Sequence, residues 1–136
     1  MTRAVVLDAS IALAWCFEEP GTEDAVALIK TPGLLFVAPA IWPLEVANAL
    51  LVSLRKGRID GSRLNELIPL LAKLPIRLEA PPSMEACREI VGLAQSFNLT
   101  VYDAAYLALA MDEKLPLATL DAALVRAAEK TGTAWP

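Results

Sequence analysis

Apolar residues in this chain come as short unbroken runs, separated by longer stretches that repeat every three to four positions. Ala4-Val5-Val6-Leu7 is the first run, and it predicts a buried strand over 3–8 that ends in an acid. Ser10 to Phe17 reads as a short helix, and Glu-Glu-Pro-Gly at 18–21 turns the chain. A helical stretch from Thr22 to Lys30 stops at Thr-Pro-Gly, 31–33, before a second strand over Leu34–Val37. A long helix then runs to about Lys56 and is halted by Gly57. The next helix covers Ser62–Leu74, with Pro69 as an expected kink. Ile76–Leu78 is a third strand, and Pro81-Pro82 leads into a helix from Ser83 to Phe97. Asp103–Glu113 is helical, Leu115–Thr119 a fourth strand, Asp121–Lys130 helical, and Thr133–Trp135 a candidate last strand. None of the strands alternates polar with apolar residues. Such runs belong to a mostly parallel sheet of four or five strands covered by helices on both faces, a three-layer α/β/α domain.

Length and composition narrow the class. At 136 residues and 56% hydrophobic residues, one domain over 1–136 with a real core is expected, and disorder is not. No apolar run reaches the roughly 18 residues of a membrane span, and the N-terminus meets Asp8 too early for a signal peptide. A soluble, cytoplasmic protein is expected. Cys16 and Cys87 lack CxxC spacing and read as buried thiols. The chain has no histidine, which removes Ser-His and Cys-His nucleophile pairs and histidine metal sites together. Chemistry here falls to carboxylates, hydroxyls, amines or a bound ion.

Four acids stand among apolar neighbours. Asp8 ends the first strand, Glu45 lies inside the long helix, Asp103 opens the helix Asp-Ala-Ala-Tyr-Leu-Ala-Leu-Ala, and Asp121 follows the fourth strand. Each aspartate also has an ordinary reading: Asp103 and Asp121 as helix N-caps, and Asp8 as a turn residue with Ser10 capping the short helix. Glu45 fits neither role. Its neighbours one turn away are Ile41, Trp42, Asn48 and Ala49, so it needs a cationic partner, a proton or a metal. Position adds weight, because ligands of open parallel sheets bind beyond the carboxyl ends of the strands, where Asp8 and Asp121 fall. Carboxylates gathered there repel one another unless a cation lies between them, and an all-oxygen set suits Mg²⁺ or Mn²⁺. The formal charge of −4 does not exclude an anionic substrate: with four of the 16 acids committed to a metal, 12 remain against 12 Lys and Arg.

These residues sit in familiar surroundings. Val-Leu-Asp-Ala-Ser-Ile at 6–11 and Pro-Ala-Ile-Trp-Pro-Leu-Glu-Val-Ala-Asn-Ala-Leu at 39–50 resemble the first two motifs of PIN-domain ribonucleases. Leu-Thr-Val-Tyr-Asp-Ala-Ala-Tyr-Leu-Ala-Leu-Ala at 99–110 and Leu-Ala-Thr-Leu-Asp at 117–121 resemble the third and fourth, so the likeness spans nearly the whole chain. The short length is similar to VapC-type toxins of VapBC toxin–antitoxin systems. The resemblance implies that Asp8, Glu45, Asp103 and Asp121 form a Mg²⁺ or Mn²⁺ site for metal-assisted hydrolysis of RNA phosphodiester bonds. It implies supporting roles for Ser10, Thr119 and Asn48, a homodimer, and a VapB-type antitoxin protein as partner.

Arg55, Lys56, Arg58 and Arg63 form the one basic cluster, readable either as a solvated helix end or as contacts for RNA phosphates. Trp15, Phe17, Trp42 and Trp135 read as core or interface rather than base-stacking platforms. Two rival readings remain: a catalytically silent PIN-like binding scaffold, and a phosphatase using a strand-end aspartate as nucleophile. The second wants an acid at position 10, where Ser10 stands.

Overall fold

A computed structural model describes residues 3–135. Four strands, β1 (Arg3–Leu7), β2 (Leu34–Ala38), β3 (Ile76–Leu78) and β4 (Leu117–Ala118), form one sheet in the order β3-β2-β1-β4. All three pairings are parallel, with Val5 opposite Phe36, Val37 opposite Arg77, and Leu7 opposite Ala118. Among the described residues seven helices flank it: α1 (Ala9–Phe17), α2 (Glu23–Ile29), α3 (Trp42–Arg55), α4 (Gly61–Ala72), α5 (Met84–Phe97), α6 (Val101–Glu113) and α7 (Ala122–Thr131). The fold class expected from the unbroken apolar runs is the one found.

Strand order assigns the helices to layers. From β1 through β2 to β3 the chain steps one way across the sheet, and from β3 to β4 it steps back past β1. Right-handed crossovers therefore put α1–α4 over one face and α5–α7 over the other. Packing agrees, since α1 contacts α2 and α3, α3 contacts α4, and α6 contacts α5, α7 and β1. The core between the layers is built from side chains of near-zero exposure, among them Val5, Leu7, Phe36, Leu50, Tyr106, Leu107 and Leu124. Phe36 lies in an inner strand and is 1% exposed. Phe36→Ala should cost roughly 3–5 kcal/mol in a urea melt, a large share of the 5–15 kcal/mol typical of a domain.

Several boundaries differ from the sequence expectation. The fourth strand shrinks from 115–119 to Leu117–Ala118, and the expected fifth strand is only a parallel bridge between Leu117 and Ala134. Pro116 lacks an N–H, so β4 begins after it, although its carbonyl still accepts from Val6 at 2.8 Å. Pro69 sits inside α4, which continues to Ala72. Asp103 does not open its helix. Thr100 is the N-cap, accepting from the Asp103 amide at 3.1 Å, and Asp103 occupies the third helical position. Cys16 is buried as expected, whereas Cys87 is only half-buried. No described helix is long and apolar enough to cross a membrane.

Candidate active site

Strand order reverses between β1 and β4, and their carboxyl ends lie side by side where α1 and α7 depart to opposite faces. Asp8 occupies the N-cap position of α1, Glu45 the first turn of α3, Asp103 the first turn of α6, and Asp121 the N-cap of α7. Each acid thus stands at the positive end of a helix dipole, which is how a fold without a neighbouring base tolerates it.

Asp8 is the most enclosed, at 6% exposure. Its Oδ2 accepts from Ser10 Oγ at 2.6 Å and from Thr119 Oγ1 at 2.8 Å. Both hydroxyls are used twice, because Ser10 Oγ accepts the Leu120 amide and Thr119 Oγ1 the Asp121 amide, each at 3.0 Å. The turn that carries Asp121 is thereby tied to Asp8. Burial pushes the Asp8 carboxyl above the ordinary range, while these hydroxyls and the amides of Ala9 and Ser10 pull it part of the way back. The ordinary reading of Ser10 as a helix cap does not hold: Ser10 lies inside α1 and bridges Asp8 to the β4–α7 turn.

Glu45 is half-buried and takes a 2.6 Å hydrogen bond from Tyr106 Oη on Oε1. Burial raises its pKa, the tyrosine opposes this, and the charges of Asp8 and Asp103 raise it further. Asp103 is raised by burial and by the charges of Asp8 and Asp121, against a lowering by the Thr100 hydroxyl. Asp121 is exposed and accepts from the Leu124 amide on Oδ2 at 3.0 Å, so its capping role is real. The four acids feel one another in a connected set. Among the described residues, no three acidic, histidine or cysteine side chains already share a point of direct ligation. A hard cation of the Mg²⁺ type is commonly held through one or two carboxylates with water completing its shell. A buried, hydroxyl-oriented Asp8 beside three partly free carboxylates fits that requirement.

Tyr106 is the residue that sequence reasoning missed. It is fully buried, and burial together with Glu45 holds its hydroxyl far above the usual tyrosine range, so it donates throughout the neutral region. Its signal was a lone hydroxyl in the apolar helix Ala-Ala-Tyr-Leu-Ala-Leu-Ala, three residues after Asp103 and so on the same face. Asn48 lies one turn beyond Glu45 on α3 and is exposed; no described hydrogen bond ties it to the acids. The basic cluster divides. Arg58 pairs with Glu19 and Arg63 with Glu66, while exposed Arg55 and Lys56 end α3. Trp42 is buried, and Trp15, Phe17 and Trp135 pack partly against the core. Burial pushes the Cys16 thiol up to about 11 against the pull of Arg63, too high for a nucleophile at neutral pH.

The parallel α/β sheet carries Asp8 and Asp121 at its switch point, tied together through Ser10 and Thr119. The chain belongs to the PIN domain family, whose model matches residues 5–130. That family generally comprises metal-dependent nucleases. Its fold is similar to the crystal structure of PAE2754 from Pyrobaculum aerophilum, with a TM-score of 0.68 and 24% identity over 99% of this chain and 90% of that one. No curated protein gives a significant match.

Proposed function

We propose that this chain is a divalent-metal-dependent endoribonuclease, formed by a single PIN-like domain over 1–136 and acting as the toxin of a VapBC-type pair in the cytoplasm. The observation that carries this reading is the buried Asp8 carboxylate at the end of β1, linked through Ser10 and Thr119 to the turn that holds Asp121 at the end of β4. Asp8, Glu45, Asp103 and Asp121 would hold Mg²⁺ or Mn²⁺, which supplies water activation and charge neutralisation for phosphodiester hydrolysis. Asp8 presents a fixed oxygen because Ser10 and Thr119 orient it, and Tyr106 fixes Glu45 in the same way. Asp121, exposed, caps α7 through Oδ2 and keeps Oδ1 out of that bond. No protein nucleophile is needed.

Cleavage of a labelled RNA across Mg²⁺ and Mn²⁺ titrations, with excess chelator as control, tests the reading; undiminished cleavage in chelator overturns it. A gene for a small DNA-binding protein immediately upstream would support the VapB-type antitoxin partner. Tyr106→Phe should raise the metal concentration for half-maximal activity roughly 10- to 100-fold, the usual cost of losing a group that orients a ligand. An unchanged metal dependence in Tyr106→Phe would show that Glu45 needs no such support.

Assembly is part of the same reading. Ile68 and Leu78, 51% and 44% exposed, line an apolar groove of about 340 Å³ between α3, α4 and β3. Surface of this kind favours a homodimer and an antitoxin segment as its covers. Sedimentation at micromolar concentration should give a dimer, and a clean monomer would count against it.

A further inference from the structure

The walls of a second pocket begin at the acidic site. Ser10, Leu13, Ala14 and Phe17 form one stripe of α1, at the spacing that keeps residues on one helix face. Ala49, Val52 and Ser53 form the opposing stripe of α3, four to eight residues beyond Glu45 on that same helix. Leu120, 46% exposed in the turn before Asp121, closes the near end. Glu19 and Arg58 close the far end. The result is an open trough of about 420 Å³ running from Ser10 to Phe17, a helix rise of roughly 10 Å.

We infer that this trough receives an unstacked base of single-stranded RNA next to the cleaved bond, with Arg58 taking the adjoining phosphate and Glu19 holding that arginine in reserve. The inference rests on the ribonuclease reading and adds to it a base subsite and a phosphate contact outside the acids. Three features of the trough select a nucleotide. Its walls are apolar and carry an aromatic ring, suited to the flat face of any base and reachable only by a base outside a duplex. It is continuous with the acids through Ser10, whose hydroxyl bonds Asp8. Its far end carries a cation, in a chain whose net charge of −4 otherwise repels RNA. The Arg58 guanidinium lies 4.8 Å over the Phe17 ring, which presets its position.

Glu19 is the competitor. It meets Arg58 at 2.6 Å, with the two side chains 50% and 51% exposed. A pair so open to water is worth little, so a phosphate displaces the carboxylate readily, and removing the carboxylate should help RNA bind.

The test uses the full chain and labelled single-stranded RNA oligonucleotides. Binding is followed by fluorescence anisotropy in chelator, and cleavage separately in Mg²⁺ or Mn²⁺. Arg58→Ala should weaken binding about tenfold and flatten the salt dependence by about 0.7 in log–log slope, the signature of one lost single-strand phosphate contact. Glu19→Gln should tighten binding up to about fivefold, and only while Arg58 is present. An abasic nucleotide walked along the oligonucleotide should cost wild type roughly 5- to 100-fold at one position. Val52→Trp, which fills the trough from an exposed site, should erase that cost. No sensitive abasic position, or an unchanged salt slope in Arg58→Ala, overturns the inference. RNA binding untouched by Val52→Trp overturns it too, and leaves the trough to a protein segment. Failure of the ribonuclease reading looks different: wild type would show no metal-dependent cleavage whatever the binding arm reports. Melting temperatures of the three exposed-site variants should stay near wild type.

Discussion

Asp8→Asn and Asp121→Asn should each abolish metal-dependent RNA cleavage while leaving the fold in place. Loss of a group that only orients a metal ligand costs about 10- to 100-fold, so loss of a ligand itself should exceed a hundredfold. The fold should survive for local reasons. At position 8 an asparagine oxygen still accepts from Ser10 and Thr119, and a neutral amide avoids the burial cost that raises the Asp8 pKa. At position 121 asparagine is among the best N-caps and keeps the bond to the Leu124 amide. A purely structural role makes the opposite forecast, because a cap that is kept should leave cleavage nearly unchanged. Full activity in both variants, with wild type cleaving beside them, would sink the assignment. Circular dichroism and melting temperature supply the folding control.

The parts of this architecture that were legible in the sequence are those set by local pattern. Unbroken runs such as Ala4–Leu7 and Leu34–Val37 announced strands buried on both faces, and that burial requires the parallel sheet found here. Asp8 and Glu45 were conspicuous because an acid in apolar surroundings violates the pattern around it. Asp103 was legible as an acid but misplaced as a cap, because Thr100, three residues earlier, makes the same local signal and is the residue with extended backbone. Contacts between distant segments were not legible. The bonds from Thr119 to Asp8 and from Tyr106 to Glu45 span 111 and 61 positions, and nothing in either neighbourhood encodes the other end. The basic cluster illustrates the same limit. Arg63 pairs with Glu66 one turn on in the same helix, a local contact, but Arg58 meets Glu19 only because the turn after α1 folds against it across 39 positions.

Without metal, the protein should lose stability as pH rises from the acid range to neutrality, and Mg²⁺ or Mn²⁺ should reverse much of that loss. The sign follows from the site. Asp8, Glu45 and Asp103 all have pKa values above the ordinary 3.8 for aspartate and 4.5 for glutamate, first because burial penalises the charged form. A folded chain that binds these protons more tightly than the unfolded chain is stabilised below the unfolded values. That contribution disappears as pH climbs through the raised folded values, leaving repelling carboxylates at neutral pH. A divalent ion at 100 times its dissociation constant adds about 2.7 kcal/mol, which for a chain of this length is a rise of roughly 10 °C in melting temperature. Asp8→Asn removes one of the repelling charges, so in chelator it should melt above wild type at pH 7 and lose most of the response to metal. Thermal scans from pH 4 to 8, with chelator and with Mn²⁺, decide the matter. A chelated wild type that gains stability between pH 5 and 7, or an Asp8→Asn protein stabilised by Mn²⁺ as fully as wild type, would remove these acids from a metal centre.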